Sequence, residues 1–155
     1  MSFRITGLPA EQFRDLIRLT DEELSCRGAR RVMADSKPGF PDRVELRDAE
    51  PGEPLILINY VHQPANNPYR ASHAIFVREG ATTQYDSRDE IPESLRLRLI
   101  SLRAFGSHDM MLDADVVDGR ELEATIDRMF ENADVTYLHA HYAKRGCYAA
   151  RVDRA

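Results

Sequence analysis

The fold of this chain is decided by a strand–loop–strand stretch that begins with the run Leu55-Ile56-Leu57-Ile58-Asn59-Tyr60-Val61-His62. The first half of this run is apolar at every position, which is typical of a central strand covered on both faces. The second half places Tyr60 and His62 on one face, because side chains alternate along a strand. Residues 73–78 form the return strand. The stretch therefore predicts a hairpin whose loop, residues 63–71, is long enough to carry function.

Outward from this hairpin, the chain has the pattern of short strands separated by turn residues. Strands are predicted over residues 31–34, 43–47, 97–105 and 110–117. Two later strands are predicted over residues 135–141 and 147–152, on either side of a turn at Lys144-Arg145-Gly146. Because consecutive strands joined by short turns pair as hairpins, we expect a sheet that is mostly antiparallel.

Helices are predicted at both ends of this β-rich region. A first helix is predicted near the N-terminus from an apolar stripe formed by Phe13, Leu16 and Ile17. A capping box, Thr20 with Glu23, begins a short second helix. A longer helix follows Asp118 and has an apolar face formed by Leu122, Ile126, Met129 and Phe130.

These patterns predict an α+β fold formed by a single domain over residues 1–155. We expect a mostly antiparallel sheet, with N-terminal helices and one longer helix before the last two strands. That longer helix could also cross over the sheet and add a parallel neighbour.

Composition excludes several classes of function. The formal net charge is −5, whereas a general nucleic-acid binder needs a basic stripe that neutralises phosphates. No apolar run approaches the length that crosses a bilayer or forms the core of a signal peptide. The two cysteines, Cys26 and Cys147, do not form a disulfide framework in a chain of this length. We therefore expect a cytoplasmic protein that binds neither nucleic acid nor membrane.

Four of the five histidines fall at the ends of predicted hairpins rather than on core faces. His62 and His73 flank the long loop, and His139 and His141 lie just before the turn of the last hairpin. Because the ordinary pKa of histidine lies near neutral pH, these four residues are candidates for acid–base catalysis. A hairpin brings both ends of its loop together, so His62 and His73 are expected to be neighbours.

A metal site is one interpretation of the pair His139 and His141. Residues two apart on a strand point the same way, so both rings could bind one metal ion. The third ligand would come from His62, His73, Asp113 or Asp115. The alternative is two inert histidines on a half-exposed face, and the pair alone does not decide between these interpretations. No motif in the chain identifies a cofactor.

The histidines also lie near residues that suit an anionic ligand. Arg70 lies in the loop that His62 and His73 flank, and its guanidinium group suits a carboxylate or a phosphate. Tyr60 lies one step inward from His62, and Lys144 lies in the last turn. The alternative is that these groups hold their own loops, because loop backbone needs hydrogen-bond partners.

Two further groups have both a functional and a simpler interpretation. Asp113 and Asp115 could form a carboxylate pair for metal binding or acid–base work, but the polar face of an amphipathic strand explains them as well. Cys147 lies across a short turn from His141, which could activate its thiol. A free cysteine is, however, usually a small buried apolar residue.

Three stretches of the chain carry a resemblance to a known family. They are NYVHQPA at residues 59–65, PYRASHAIFVRE at residues 68–79, and LHAH at residues 138–141 followed by GCYAARVD at residues 146–153. With them the chain resembles a bacterial protein family identified only as a domain of unknown function, DUF1203. The likeness extends from Phe3 onward. The resemblance implies a stand-alone domain and brings no activity, cofactor or catalytic residue.

The function that these residues support best is a small-molecule site, either enzyme-like or purely binding, for an anionic ligand. The residues expected to form it are His62, His73, His139 and His141 as catalytic groups, and Tyr60, Arg70 and Lys144 as ligand-binding groups. The alternative is a non-enzymatic interaction protein, such as a homodimer that pairs through sheet or helix faces. Histidines clustered in one place favour the first hypothesis, and dispersed histidines favour the second.

Overall fold

The computed structural model describes residues 1–155 and contains nine strands and four α-helices. The strands are β1 (Phe3–Thr6), β2 (Arg30–Met33), β3 (Pro54–Gln63), β4 (Ala71–Arg78), β5 (Asp86–Arg88), β6 (Leu99–Gly106), β7 (Met111–Asp118), β8 (Val135–Tyr142) and β9 (Tyr148–Arg154). The helices are α1 (Arg14–Ile17), α2 (Asp21–Cys26), α3 (Glu93–Arg96) and α4 (Leu122–Phe130). Short 3-10 helices, Ala10–Phe13 and Gly119–Glu121, precede α1 and α4.

The strands form two sheets, and every pair of neighbouring strands in them is antiparallel. Six strands form the larger sheet in the order β5-β1-β9-β8-β6-β7, and three form the smaller sheet in the order β2-β3-β4. The predicted α+β class, antiparallel pairing and longer helix before the last two strands are therefore confirmed. No helix is both long and apolar enough to cross a membrane.

The two faces of the larger sheet are covered by different parts of the chain. Helix α4 covers one face and buries the four side chains of its predicted apolar stripe, Leu122, Ile126, Met129 and Phe130. The smaller sheet and the N-terminal helices cover the other face, where one cluster of buried side chains contains Phe13, Leu16, Leu24, Ile56, Ile75 and Tyr148. The sheet is therefore the middle layer of the molecule, and it is buried on both sides.

Strand β8 lies between β6 and β9, and its two faces carry different chemistry. The face toward α4 contributes Leu138, Ala140 and Tyr142 to the apolar core. Because side chains alternate along a strand, the face toward the smaller sheet carries Tyr137, His139 and His141. The rings of His139 and His141 there meet those of His62 on β3 and Tyr148 on β9.

The N-terminus differs from the prediction of a helical start. Residues 3–6 form β1, which pairs with β5 on one side and β9 on the other. Only Phe3 and Ile5 alternate there as buried residues, and this pattern is too short to predict a strand from sequence. The two helices that follow β1 were predicted, and the capping box of Thr20 and Glu23 is present at the start of α2.

Residues 43–47 do not form the predicted strand. The buried carboxylate of Asp42 accepts hydrogen bonds from the backbone N–H groups of Val44, Glu45 and Arg78. These bonds compete with strand pairing, and Leu46 leaves the extended region with a φ of 53°. The helix α4 also does not add the parallel neighbour that it could have added, because β8, which follows α4, pairs antiparallel with both β6 and β9.

Candidate functional site

Three histidines that are far apart in sequence converge between the two sheets. One ring nitrogen of His62, one of His139 and one of His141 all lie within 4.8 Å of one another. The ring centroid of His62 lies 4.8 Å from that of His141 and 6.1 Å from that of His139. Three imidazoles at this separation can bind a single ion.

The backbone explains how each histidine reaches this place. His139 and His141 are two residues apart on β8 and therefore share a face, as predicted. His62 lies at an irregularity in β3, where the pairing with β4 shifts between Val61 and Gln63. An extra residue of this kind bends a strand and redirects a side chain, which here is His62.

The histidines are less exposed than the predicted hairpin tips would make them. His139 and His141 have only 4% and 1% of their surface exposed, and His62 is half-buried. The expectation that these residues avoid core faces is therefore wrong. The smaller sheet covers the face of β8 that carries His139 and His141. This packing joins distant parts of the chain and is not visible in the local sequence pattern.

Each of the three rings has a buried nitrogen without a hydrogen-bond partner: Nδ1 of His62, Nδ1 of His139 and Nε2 of His141. The other nitrogen of His141, Nδ1, lies 2.9 Å from the carbonyl oxygen of Gly146. A carbonyl only accepts, so Nδ1 carries the proton and Nε2 keeps a free lone pair. This arrangement is the one found when a histidine binds a metal and a second group orients its ring.

The three histidines are neutral at neutral pH. Burial lowers the pKa of His62 to about 4, and the nearby charges of Arg103 and His73 act in the same direction. Burial also lowers the pKa of His139 and that of His141 to about 3. Only the neutral ring binds a metal, so the site is in the protonation state that coordination needs.

Aromatic rings surround the cluster. The ring of Tyr148 stacks on that of His62 at 5.3 Å, with an angle of 5° between the planes. The rings of Phe105 and Tyr137 each lie 5.2 Å from that of His139. These walls fix the orientation of the imidazoles and keep water away from them.

Arg103 on β6 is one of two arginines that neighbour the cluster, and it was not among the residues predicted from the sequence. It lies directly opposite His139 in the pairing of β6 with β8. It is half-buried, and burial lowers the pKa of its guanidinium group. The sequence signal that could have identified Arg103 is its position between two apolar residues of the same strand. Those residues, Leu102 and Ala104, are buried.

Among the other predicted site residues, His73 lies near His62 and Tyr60 packs apart from the histidines. The predicted hairpin is confirmed, since His73 on β4 lies opposite Tyr60 on β3, and Tyr60 is two residues before His62. The charge of His73 contributes, after burial, to the lowered pKa of His62. Tyr60 packs its ring against Phe13, with 6.0 Å between the centroids, and belongs to the apolar cluster beneath the smaller sheet.

The two predicted cationic ligand-binding residues do not join the histidines. Arg70 is exposed and donates a hydrogen bond to the carbonyl oxygen of Pro64, so it holds its own loop. Lys144 is exposed and lines a cavity of about 690 Å³ that contains none of the three histidines. Arg70 and Lys144 are close to the predicted histidines in sequence. Arg103, which lies beside the cluster, is on a strand that falls between them in the chain.

The alternative metal ligands and the candidate thiol have structural roles. Asp113 and Asp115 both form ion pairs with Arg128 of α4, on the face of the larger sheet opposite the histidines. Cys147 is buried in the core on the α4 side and accepts a hydrogen bond from Nη2 of Arg43 at 3.1 Å. Of the four residues considered as a third ligand, His62 is the one whose ring nitrogen lies close to those of His139 and His141.

Comparison with known proteins identifies a family and no activity. The sequence matches the family described as "Protein of unknown function (DUF1203)" over residues 39–154. The match includes all three clustered histidines and Arg103, but it begins later than Phe3, where the resemblance was expected to start. No curated protein and no solved structure matches the chain. Because the family match spans most of the sequence, the chain belongs to the DUF1203 family.

Proposed function

We propose that this protein binds a divalent transition-metal ion through His62, His139 and His141. One observation carries the proposal: three neutral imidazoles, each with an unpartnered buried nitrogen, offer ligand atoms within 4.8 Å of one another. Buried polar atoms in folded proteins nearly always have hydrogen-bond partners. Three orphaned nitrogens on three adjacent rings are therefore a cost that a bound ion would remove.

The ligand set favours certain metals over others. Imidazole nitrogen suits zinc, copper, iron and nickel, whereas magnesium and calcium prefer carboxylate and carbonyl oxygen. Zinc sites that serve only structure usually have four protein ligands, while catalytic ones have three and keep a position for water or substrate. Three histidines therefore support a centre with an exchangeable position, and so an enzyme-like or ligand-binding role.

The surrounding residues suit such a centre. The carbonyl oxygen of Gly146 orients the ring of His141, and the stacked ring of Tyr148 holds that of His62. Gly146 adopts a φ of 79°, a conformation that favours glycine, in the turn that places this carbonyl. Partners that orient ligands in this way typically contribute about 10–100-fold to metal affinity.

Metal analysis and titration test the proposal. The purified chain should contain, or after treatment with a chelator should take up, one zinc or cobalt(II) ion per molecule. His139→Ala and His141→Ala should each lower the affinity for cobalt(II) by more than about 100-fold, since even orienting partners contribute 10–100-fold. The cobalt(II) absorption spectrum and calorimetry with zinc give independent measurements of binding.

The exposed His108 provides the matched control, because it lies in the turn between β6 and β7, outside the cluster. His108→Ala should leave the affinity and the spectrum unchanged. The proposal is wrong if the unmodified protein binds neither metal ion. It is equally wrong if His108→Ala weakens binding as much as His139→Ala does.

A homodimer is the second candidate function, and one surface feature favours it. Leu112 and Val116 lie on β7, the edge strand of the larger sheet, and are 46% and 60% exposed. Apolar side chains on an unpaired edge are typical of surfaces that pair with another copy. Light scattering after gel filtration tests this, and a monomer at all accessible concentrations would contradict it.

The cellular location belongs to the same proposal. A cytoplasmic location is supported by the two free cysteines, of which Cys26 is exposed and Cys147 is buried. Free thiols persist in reducing compartments. Fractionation of the source cells tests the location.

A further inference from the structure

We infer that the three-histidine centre binds a small oxyanion, a carboxylate or a phosphate, between the open position of the metal and the guanidinium group of Arg103. The inference rests on the proposed metal function and names the class of ligand that the centre takes. It depends on a separate observation: which of the buried and half-buried arginines have hydrogen-bond acceptors within the chain.

Only two arginines that are not exposed lack a carboxylate partner, namely Arg43 and Arg103. Arg43 is nevertheless satisfied. Its Nε donates to the carbonyl oxygen of Tyr148 at 2.7 Å, its Nη1 donates to that of Pro41, and its Nη2 donates to Sγ of Cys147. Every nitrogen of this buried guanidinium group therefore has an acceptor.

Arg103 differs from Arg43 in this respect. Its only hydrogen bond runs from Nε to the hydroxyl oxygen of Ser101, and at 3.4 Å that bond is long. Both terminal amino groups are left without an acceptor on the protein. These amino groups are open to solvent, and a half-buried guanidinium group with no carboxylate partner offers both of them to an anion that enters the site.

The nearest carboxylates cannot fill this role. Arg103 lies opposite Ala114 in the pairing of β6 with β7, so Asp113 and Asp115 project from the other face of the sheet. Both of them are paired with Arg128 there. The carboxylate of Asp153 pairs with Arg151, the other arginine that neighbours His139 in the sheet. The charge of Arg103 therefore has no counter-ion within the chain.

Arg103 is also placed to share a ligand with the metal. It lies directly opposite His139 in the pairing of β6 with β8, so the two side chains share one face of the sheet. A metal ion and a guanidinium fork on one side of a site select an anion with two or more oxygen atoms. One oxygen would occupy the open metal position while others accept from Nη1 and Nη2.

Anion titration of the cobalt(II)-loaded protein tests the inference. Acetate and phosphate are added in separate experiments, and the visible absorption of cobalt(II) reports a ligand that enters its coordination sphere. The unmodified protein should show a saturable spectral change with at least one of them. The anion that binds more tightly shows whether the site prefers a carboxylate or a phosphate.

Arg103→Gln should bind cobalt(II) nearly as tightly as the unmodified protein but should lose about 10–100-fold in anion affinity, the range for a charged hydrogen-bonding pair. Arg103→Lys, which keeps the charge and loses the fork, should fall between the two. Arg70→Gln is the matched control, because Arg70 is exposed and holds only its own loop. It should leave anion affinity unchanged.

The outcomes separate this inference from the proposed function. If the unmodified protein binds no metal, the proposed function itself is wrong. If it binds cobalt(II) normally but responds to neither anion, only the anion inference is overturned. The inference is also overturned if Arg103→Gln binds the anion as tightly as the unmodified protein, or if Arg70→Gln loses as much affinity. Cobalt(II) binding by each variant shows that it is folded.

Discussion

The two faces of the eight-residue strand β8 carry side chains with different roles. On the α4 side, Leu138 and Ala140 are completely buried among apolar neighbours, which stabilises the fold. On the other side, His139 and His141 are almost as buried but leave ring nitrogens without partners. One face therefore contributes stability, and the other gives up part of that stability to hold two of the three ring nitrogens that meet there.

The largest effect is expected from Ile126→Ala on α4, which faces the apolar side of β8. Ile126 is completely buried against the larger sheet, so its truncation removes apolar contacts and leaves a cavity. The free energy of unfolding should fall by about 2–5 kcal/mol. Urea denaturation measures this loss, and a cobalt(II) titration of the folded variant should show unchanged affinity. A variant as stable as the parent would mean that the α4 side does not support the fold.

A pH effect of up to about 3 kcal/mol is expected at a third region, the carboxylate of Glu53 just before β3. Burial alone would raise the pKa of Glu53, but hydrogen bonds from the Glu50 amide, Arg47 and Arg78 lower it from 4.5 to about 2. Because the folded state holds the ionised form, this stabilisation is complete above the unfolded pKa. It is lost as the pH falls from about 4.5 toward about 2.

Glu53→Gln tests the assignment of this acid sensitivity. The variant should lose stability near neutral pH and should show a weaker dependence on pH across the same acid range. Denaturation curves at a series of pH values measure both quantities. An unchanged pH dependence would show that the ion pairs of Glu53 with Arg47 and Arg78 do not set the acid response.

The comparison of the two faces also predicts a gain in stability from the loss of a functional residue. His139→Leu replaces a buried ring that has an unpartnered nitrogen with an apolar side chain of similar size. The metal-free variant should be more stable than the metal-free parent by about 1–3 kcal/mol, which is the usual cost of an unsatisfied buried polar group. Thermal and urea unfolding in the presence of a chelator measure the difference.

A loss of stability in His139→Leu would contradict this view of the histidine face. It would mean that the imidazole makes packing contacts worth more than the cost of its orphaned nitrogen. His73→Leu is the matched control, because His73 is more exposed and its Nδ1 lies 3.2 Å from the carbonyl oxygen of Ala74. That substitution should leave the stability nearly unchanged.

The smallest effect is expected at the end of the histidine face, where polar groups do have partners. The side-chain amide of Gln63 donates to the hydroxyl of Tyr137 at 2.9 Å, and that hydroxyl donates to Asp109 at 2.6 Å. Tyr137→Phe removes the shared group and should cost about 1 kcal/mol. A urea denaturation curve measures this, and the metal affinity should not change.

Local patterns predicted the parts of this molecule that depend on neighbours in sequence. The hairpin of β3 and β4, the buried stripe of α4 and the shared face of His139 and His141 all follow from periodicity over a few residues. The short strand β1 was not predicted, because its pairing partners are far away in the sequence. The irregular residues 43–47 were not predicted, because their conformation depends on the buried carboxylate of Asp42, which binds the amides of Val44, Glu45 and the distant Arg78.

The site itself was only half predictable for the same reason. His62 and the pair on β8 were selected as candidates, but their convergence requires the smaller sheet to pack on the larger one, and no local pattern encodes that packing. Arg70 was a candidate because it lies in the loop after His62, and Arg103 was not among the candidates. The structure reverses this choice, since β6 places Arg103 beside His139 and Arg70 remains exposed.

The irregularity in β3 at His62 limits which insertions and deletions the family can accept. Upstream and downstream loops can lengthen or shorten at small cost, because the entropy of closing a loop grows slowly with its length. Removal of one residue of β3 just before His62 would instead turn His62 and Gln63 to the opposite face of the strand. Length variation among relatives should therefore fall in the loop at residues 64–70 and avoid the two residues on either side of His62.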